Sequence, residues 1–219
     1  MPTAPSGSAL RLPFAAIVFD CDGVLVDSFV AVERAWDQLA RELGLPSEEL
    51  LATIHGVRAE DTLRHWVESD RLDAALSRLE VLELQAARTA QPIAGARELV
   101  AALDGSRWGV ATSGSRVLAT ARLQACGFPE PAVLVAADDV ERGKPHPDPY
   151  LAAAAGLGVP AEQVVVFEDS PTGAEAARIA GSTVVAVATS FPPGTFPARA
   201  TVPDLRAVSV EPGVLVVSG

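Results

Sequence analysis

Residues 14–28 read FAAIVFDCDGVLVDS, a short apolar run followed by two closely spaced aspartates and a glycine. The run over residues 14–20 suits a strand that is buried on both faces of a parallel sheet. Because alternate residues of an extended chain point the same way, Asp20 and Asp22 would face one cavity. Gly23 would allow a sharp turn and a close approach of the backbone to a ligand. This segment therefore predicts a buried strand that delivers two carboxylates to a site.

Similar apolar runs recur along the chain and alternate with helical patterns. Further strands are predicted at residues 108–112, 133–136, 164–167 and 183–188. Helices are predicted at residues 95–103, 116–126, 149–155 and 171–180, and Gly127 and Gly181 follow two of them where a helix would end. Strands that alternate with helices predict an α/β fold with a Rossmann-like, doubly wound, mostly parallel sheet.

The interval from residue 29 to residue 92 breaks this alternation, because it has helical periodicity and no convincing strand. Ser28 could cap a helix that runs to Leu43 and ends at Gly44, and further helices could start at Ser47 and Asp70. The pattern predicts an α-helical cap of residues 29–92 inserted into a core of residues 1–28 and 93–219. Hinges would lie near residues 27–28 and 92–95.

Composition excludes several classes of function. The net charge of -11 argues against non-specific binding to nucleic acid and against docking on anionic lipid. Two distant cysteines, Cys21 and Cys126, have no metal-ligand spacing, so a reduced cytoplasmic setting is the simplest interpretation. Residues 1–8 have no signal-peptide pattern and suggest a frayed tail, and we expect no membrane span. We expect a monomer or weak dimer whose partner is a small metabolite.

Chemically reactive side chains follow the predicted strands, where open α/β sheets bind their ligands. These residues are Asp20, Asp22, Thr112, Ser113, Asp138, Glu168 and Asp169. Two carboxylates held together repel each other unless a proton or a cation neutralises them, and Mg²⁺ with a phosphate ligand would do so. Asp20 could then attack phosphorus, while Asp22 gives a proton to the leaving oxygen and later takes one from water. An isolated pair of this kind could equally cap a turn.

Four segments together resemble the motifs of the haloacid dehalogenase superfamily. FDCDGVLVDS (residues 19–28) is similar to its first motif, which reads Asp-x-Asp-Gly-Thr/Val in the phosphatases. VATS (110–113), RGKPHPDPY (142–150) and VVVFEDSPTG (164–173) resemble the other three motifs in the same order. The resemblance extends from about Phe14 to Thr189, and an insert after the first motif matches the branch with a helical cap.

This resemblance implies a role for each matching residue. Asp20 would be the nucleophile and Asp22 the general acid and base. The implied phosphate ligands are Thr112, the amides of Ser113 and Gly114, and Lys144. Mg²⁺ would be bound by Asp20, the backbone carbonyl of Asp22 and Asp169, with Glu168 as a ligand or as a support for the ligands. Alternatively, Thr112 could simply end a strand, Lys144 could be solvated, and Glu168 and Asp169 could cap a helix.

The cap region resembles that of hexitol-, deoxyhexose- and glycerol-phosphate phosphatases and that of β-phosphoglucomutase. Glu33, His55 and Arg58 are the candidates for contact with the substrate, although each could instead be surface charge or a helix end. Aligned on Glu60 and Asp61, Arg58 lies one residue before the mutase arginine. Ser115 and Arg116 replace a Lys-Asn pair of the mutase, so a second phosphate site is not expected.

The sequence therefore predicts a Mg²⁺-dependent phosphatase that hydrolyses a small sugar or polyol phosphate through a phospho-aspartate. A β-phosphoglucomutase-like isomerase is the alternative, since both reactions would start at Asp20. A catalytically silent binding or regulatory protein is a more remote alternative, because such relics usually lose one of the motif residues.

Overall fold

A six-stranded parallel sheet in the order β6-β5-β2-β7-β8-β9 forms the centre of the chain in a computed structural model that describes residues 9–218. The strands are β1 (Leu10–Pro13), β2 (Ala16–Phe19), β3 (Val26–Asp27), β4 (Gln91–Pro92), β5 (Trp108–Ala111), β6 (Val133–Val135), β7 (Val164–Glu168), β8 (Thr183–Val187), β9 (Ala200–Val202), β10 (Val208–Glu211) and β11 (Val214–Val217). The helices are α1 (Phe29–Leu43), α2 (Ser47–Leu51), α3 (Ala59–Leu63), α4 (Ser69–Ala87), α5 (Ala96–Ala101), α6 (Arg116–Ala125), α7 (Asp148–Gly156) and α8 (Pro171–Ile179).

Helices cover both faces of this sheet. On one face, Phe19 and Phe167 stack with ring centroids 5.1 Å apart and pack with apolar residues of α5 and α6. On the other face, Val18 and Val166 pack against α7 and α8. Strands β2, β5 and β7 are buried along their whole length, as their apolar runs predict, and Glu168 at the end of β7 is buried with them. The predicted doubly wound α/β core is confirmed.

Strand order brings the predicted site residues to one edge. β2 lies between β5 and β7, and all three strands run parallel. The chain leaves β2 towards β5 and β6 on one side and continues to β7, β8 and β9 on the other. A crevice therefore forms at the carboxyl ends of β2, β5 and β7, where the strand order reverses.

The helices α1–α4 pack around their own apolar centre, which includes Trp36, Leu39, Leu63 and Leu79. α1 ends at Gly44 as predicted, with φ 71° in the left-handed region. α4 starts at Ser69 instead of Asp70, and the short helix α3 was not predicted. We therefore propose that residues 29–92 form the cap.

The junction between cap and core differs from the expectations in two respects. β4 lies inside the interval expected to have no strand, and it pairs with β3 through Val26–Pro92 and Asp27–Gln91. Such a two-residue strand is too short to produce a periodic pattern. Ser28 occupies the N-cap position of α1 as predicted, but its side chain makes no capping bond, because its hydroxyl donates to Asp22 at 2.6 Å.

Several peripheral features also bear on the predictions. β1, β10 and β11 form a separate antiparallel sheet that the sequence analysis did not predict, and β9 was missed as well. Among residues 9–218, no helix combines the length and apolarity needed to cross a membrane. The predicted frayed tail at residues 1–8 lies outside the described residues.

Candidate active site

Lys144 joins two carboxylates at the buried base of the candidate site. Its Nζ donates to Asp20 Oδ1 at 2.9 Å and to Glu168 Oε1 at 2.6 Å. Burial alone would lower the pKa of Lys144, but the two carboxylates raise that pKa well above its ordinary value. Lys144 does not line the cavity next to Asp20, since its side chain is 1% exposed and lies behind that residue. Lys144 is a buried cation that contacts the predicted nucleophile.

Glu168 is held by donors on both of its oxygens. Oε1 accepts from Lys144 and, at 2.6 Å, from the hydroxyl of Tyr150. Oε2 accepts from the amides of Asp169 and Ser170, each at 3.0 Å, and from the Ser170 hydroxyl at 2.9 Å. Because both oxygens are already occupied, this geometry favours Glu168 as a support for Lys144 and the start of α8 over a direct metal ligand. Tyr150 lies at the end of the motif of residues 142–150, and the sequence analysis did not predict its role.

Asp20, Glu168 and Asp169 form a buried acidic cluster whose carboxylate oxygens lie within 4.8 Å of one another. Burial raises the pKa of Asp20 to about 7, although Lys144 opposes this. Burial and the neighbouring Glu168 and Asp20 carboxylates raise the pKa of Asp169 well above its ordinary value. One lysine cannot neutralise three carboxylates, and oxygen donors suit a hard divalent cation. These residues therefore fit a Mg²⁺ ion held mainly by Asp20 and Asp169.

Asp22 lines the same cavity as Asp20, as the sequence predicted. Its Oδ1 accepts from the Ser28 hydroxyl at 2.6 Å, and its Oδ2 accepts from Arg122 Nη1 at 2.8 Å. Arg122 in turn donates to Glu83 of α4 at 3.3 Å. The sequence analysis missed both partners of Asp22, which are Ser28 and Arg122, as well as the bond from Arg122 to Glu83. For Arg122 a signal was available, since a charged residue four positions after buried Leu118 lies on the apolar face of α6.

The segment after β5 only partly matches the predicted phosphate cradle. Thr112, Ser113 and Gly114 all line the cavity. However, the Gly114 amide donates to Thr112 Oγ1 at 3.1 Å, so the prediction of a free amide at Gly114 is wrong. That bond occupies an acceptor site of the hydroxyl and leaves its hydrogen available for a ligand. The Ser113 hydroxyl donates across to the cap, to the carbonyl of Gly56 at 3.0 Å.

A cavity of about 610 Å³ lies between the cap and the carboxyl ends of the strands. His55 lines it and stacks on Phe29 with ring centroids 4.5 Å apart. Burial lowers the pKa of His55, against the opposing effect of Glu33. Glu33 itself does not line the cavity and reaches it only through His55, 3.7 Å away. Its predicted direct contact with the substrate is therefore not supported by its position.

Arg58 lines the cavity, but its guanidinium is already engaged. Nε and Nη2 donate to Asp61 at 2.7 and 3.0 Å. Nη1 donates to the carbonyls of Val140 and Glu141 at 3.3 and 3.0 Å. Arg58 therefore connects the cap to a loop of the core, and in this arrangement it has few donors left for a substrate.

Two aspartates lie in the loop after β6, and the sequence analysis placed Asp138 among the reactive side chains that follow the strands. Asp138 lines the cavity and accepts from the amide of Arg116 at 2.6 Å, near the start of α6. Asp139 accepts from the Arg116 guanidinium at 2.6 Å and from the amide of Ala136 at 2.7 Å. Both carboxylates organise backbone around the cavity, and neither belongs to the acidic cluster.

Two relatives of the chain are named as phosphatases. It is 44% identical over 176 residues to "Hexitol phosphatase A" of Escherichia coli, covering 78% of this chain and 81% of the relative. It is 31% identical over 194 residues to "Glycerol-1-phosphate phosphohydrolase 2" of Saccharomyces cerevisiae, covering 83% and 78% of the two chains.

Solved structures share the fold, and a family model matches most of the chain. A β-phosphoglucomutase of Clostridium difficile superposes with a TM-score of 0.76 at 18% identity, covering 88% of this chain and 92% of that one. The model of haloacid dehalogenase-like hydrolases matches residues 14–181, which include all four motifs and every residue that lines the cavity except Ser190. The chain is therefore a haloacid dehalogenase-like hydrolase, and the resemblance stated from its motifs is confirmed.

Proposed function

We propose that this protein is a Mg²⁺-dependent phosphatase that hydrolyses a small sugar or polyol phosphate through a phospho-aspartate on Asp20. The observation that carries this proposal is the position of Asp20 in a cavity shared with Asp22, backed by Lys144 and beside Asp169. This arrangement combines a nucleophile, an acid/base and a charge-compensating group around one space.

The proposed reaction has two steps. An oxygen of Asp20 attacks phosphorus, the bond from phosphorus to the ester oxygen breaks, and Asp22 gives its proton to the departing alkoxide. Water then attacks the phosphoryl group on Asp20 and passes a proton to Asp22, which releases inorganic phosphate and restores both residues. Mg²⁺ held by Asp20, Asp169 and the Asp22 carbonyl would supply positive charge to the phosphoryl oxygens. Lys144 favours the ionised, nucleophilic form of Asp20.

Charge in the cavity supports a substrate whose far end is neutral. Apart from the acidic cluster, carboxylates of Glu60, Glu80, Glu83, Asp138 and Glu141 line the walls. Among residues 9–218, the arginines that line it are Arg58 and Arg122, and both are bound to protein acceptors. A hydroxyl-rich tail can donate to these carboxylates, whereas a second phosphate would be repelled. The named relatives act on hexitol and glycerol phosphates, which fit this description.

The same observations favour hydrolysis over the mutase alternative. A mutase must hold a second phosphate, which requires cations available on the cap or beside it. Ser115, at the place of the mutase lysine, donates to Glu80 at 2.8 Å, and the Arg116 guanidinium is bound to Asp139. Losing one charged contact costs about 1.5–3 kcal/mol, or one to two decades in binding.

Phosphate release from a panel of hexitol, hexose, glycerol and bisphosphate esters tests the proposal. We expect Mg²⁺-dependent release from polyol or sugar monophosphates, little from bisphosphates, and almost none with Asp20→Asn. Incubation with β-glucose 1-phosphate and a trace of glucose 1,6-bisphosphate separates the alternatives. Rapid formation of glucose 6-phosphate without phosphate release would replace the phosphatase by the mutase. Absence of both activities across the panel would favour a binding protein.

A further inference from the structure

Arg122 is a buried cation that connects the proposed acid/base to the cap. It lies on α6 with its side chain 4% exposed, and it donates to Asp22 Oδ2 at 2.8 Å. The same guanidinium donates to Glu83 Oε1 at 3.3 Å. α6 belongs to the core and α4, which carries Glu83, to the cap, so one side chain joins three segments of the protein.

We propose that Arg122 is a positioning residue that fixes the carboxylate of Asp22 for proton transfer, and that Glu83 of the cap fixes Arg122 in turn. This inference rests on the proposed phosphatase function and assigns to it two residues outside the four motifs.

Asp22 has one fixed partner on each oxygen. The Ser28 hydroxyl holds Oδ1 and Arg122 holds Oδ2, so the carboxylate has a defined plane. Without the guanidinium, the carboxylate could rotate about its terminal bond, which has broad torsional minima. Proton transfer requires the carboxyl oxygen to lie within hydrogen-bond reach of the leaving oxygen. Loss of Arg122 would therefore leave Asp22 in the site, but its carboxyl group would be poorly oriented for proton transfer.

Glu83 provides the second anchor for the guanidinium. Its side chain is 11% exposed, and burial raises the pKa of Glu83 against the opposing effect of Arg122. A planar guanidinium with carboxylates on two of its nitrogens cannot turn without losing one bond, whereas an ammonium group would not be fixed in this way. Arg122 is thus oriented from both ends.

The contact between Arg122 and Glu83 is one of two bonds along the same helix pair. Ser115, at the start of α6, donates to Glu80 of α4 at 2.8 Å. Both bonds form only where α4 rests on α6. We infer that the carboxylate of Asp22 is fully oriented only when α4 of the cap packs on the core, because only then does Glu83 hold Arg122.

Leaving-group dependence provides the test. Values of kcat/KM are measured with Mg²⁺ for a series of aryl and alkyl phosphates in the wild type and in the Asp22→Asn and Arg122→Met variants. An alkoxide leaving group needs protonation by the acid more than p-nitrophenolate does. When the acid is poorly oriented, kcat/KM should therefore decrease more steeply as the pKa of the leaving group rises. For Arg122→Met we expect a loss on glycerol phosphate about tenfold or more greater than the loss on p-nitrophenyl phosphate. If Arg122 had a purely structural role, its loss would reduce kcat/KM by the same factor for all substrates.

Arg78→Met is the matched control, since Arg78 lies on the same cap helix as Glu83 and makes a two-point ion pair with Glu42, and neither residue lines the cavity. For this variant, the slope of log kcat/KM against leaving-group pKa should equal that of the wild type. Circular dichroism and thermal melting check the fold of each variant. Arg122→Lys and Glu83→Gln provide milder changes if Arg122→Met does not fold, and both should steepen the slope less strongly.

The outcomes separate the two proposals. If Asp22→Asn steepens the slope while Arg122→Met, Arg122→Lys and Glu83→Gln do not, the role of Arg122 is wrong and the phosphatase mechanism stands. If Asp22→Asn itself leaves the slope unchanged, the proposed acid of the phosphatase mechanism is wrong. A shallower slope in Arg122→Met would mean that the guanidinium restrains Asp22, which also overturns the inference.

Discussion

A single lysine surrounded by three carboxylates dominates the chemistry of individual residues. Lys144 contacts Asp20 and Glu168, while Asp169 completes the cluster. Negative charge in excess over positive charge is costly when it is buried, and the cost decreases when a carboxylate takes a proton or a cation binds. The raised pKa values of Asp20 and Asp169 reflect this cost, so proton uptake and metal binding should compete.

Metal-free protein should lose stability as the pH rises from 5 to 8. The pKa of Asp20 is about 7 in the folded chain against about 3.9 when unfolded, so its stabilising contribution is complete at low pH and is lost as pH rises through 7. We expect unfolding free energy to fall by about 2–3 kcal/mol over this range in chelator. Asp20→Asn should fold, lose almost all turnover and show a smaller decline.

Thermal melts at four pH values measure this effect. Asp73→Asn, at an exposed position of α4, is the matched control and should follow the wild type. Identical pH slopes for wild type and Asp20→Asn would contradict the prediction.

Ser190 supports the proposed metal ligand Asp169 from the loop after β8. Its hydroxyl donates to Asp169 Oδ2, and the adjacent Thr189 donates to the Gly23 carbonyl at 2.5 Å. Ser190→Ala should weaken Mg²⁺ binding by about tenfold, because hydrogen bonds to metal ligands orient them. Isothermal titration and the Mg²⁺-dependent rise in Tm measure it, with Ser209→Ala on β10 as the control. An unchanged Mg²⁺ affinity would show that Asp169 is oriented without this bond.

At the scale of secondary-structure elements, contacts between the cap and the core shape the site. The loop before α3 approaches the core at two points, where Gly56 accepts from Ser113 and Arg58 donates to Glu141. The contact of α4 with α6 adds the bonds described for Arg122. Because Ser113 lies in the proposed phosphate cradle, seating of the cap and shaping of the cradle occur together.

Gly56→Ala should prevent this seating. Gly56 has φ +76°, and a Cβ there would overlap the hydroxyls of Thr172 and Ser170 at the start of α8. We expect kcat/KM for a polyol phosphate to fall about tenfold or more, since small displacements of a site cost this much. Gly44→Ala is a close control, because Gly44 has φ +71° in the cap but nothing within 4 Å of its Cβ position. Both variants carry the backbone cost, so equal activities would exclude a steric role for Gly56.

At the scale of the whole molecule, metal binding should couple to global stability. The acidic cluster draws its ligands from the ends of β2 and β7, the two central strands of the core sheet. A cation that binds only when these strands are paired stabilises the entire fold by mass action. For each metal, its effect on the stability of the fold can therefore be measured separately from its effect on activity.

Chelator should abolish phosphate release, and Mg²⁺ should restore it. Ca²⁺ should raise Tm as a ligand of the same carboxylates but restore little activity, because it takes more ligands at longer distances. Parallel melting curves and phosphate assays measure both properties. Full activity in chelator, or equal rescue by Ca²⁺, would exclude the proposed magnesium site.

The sequence by itself determined the architecture of the core and the family. Apolar runs such as 14–20 and 164–167 are local patterns, so they predicted β2 and β7 within a few residues. The motifs are local as well, and they placed Asp20, Lys144 and Asp169 in chain positions that the structure brings together. Their catalytic roles stay predictions until the variants are measured.

Only the tertiary structure decided which distant groups meet. Leu10 of β1 pairs with Val217 of β11, and an alternation of only four residues, as in Leu10–Pro13, does not identify a partner at the other end of the chain. The hydroxyl of Ser28 bonds to Asp22, six residues earlier, and not to the amides of α1, because the folded loop brings this carboxylate within reach. The bond from Arg122 to Glu83 spans cap and core. Local patterns determine elements, whereas hydrogen-bond partners from remote segments determine the site.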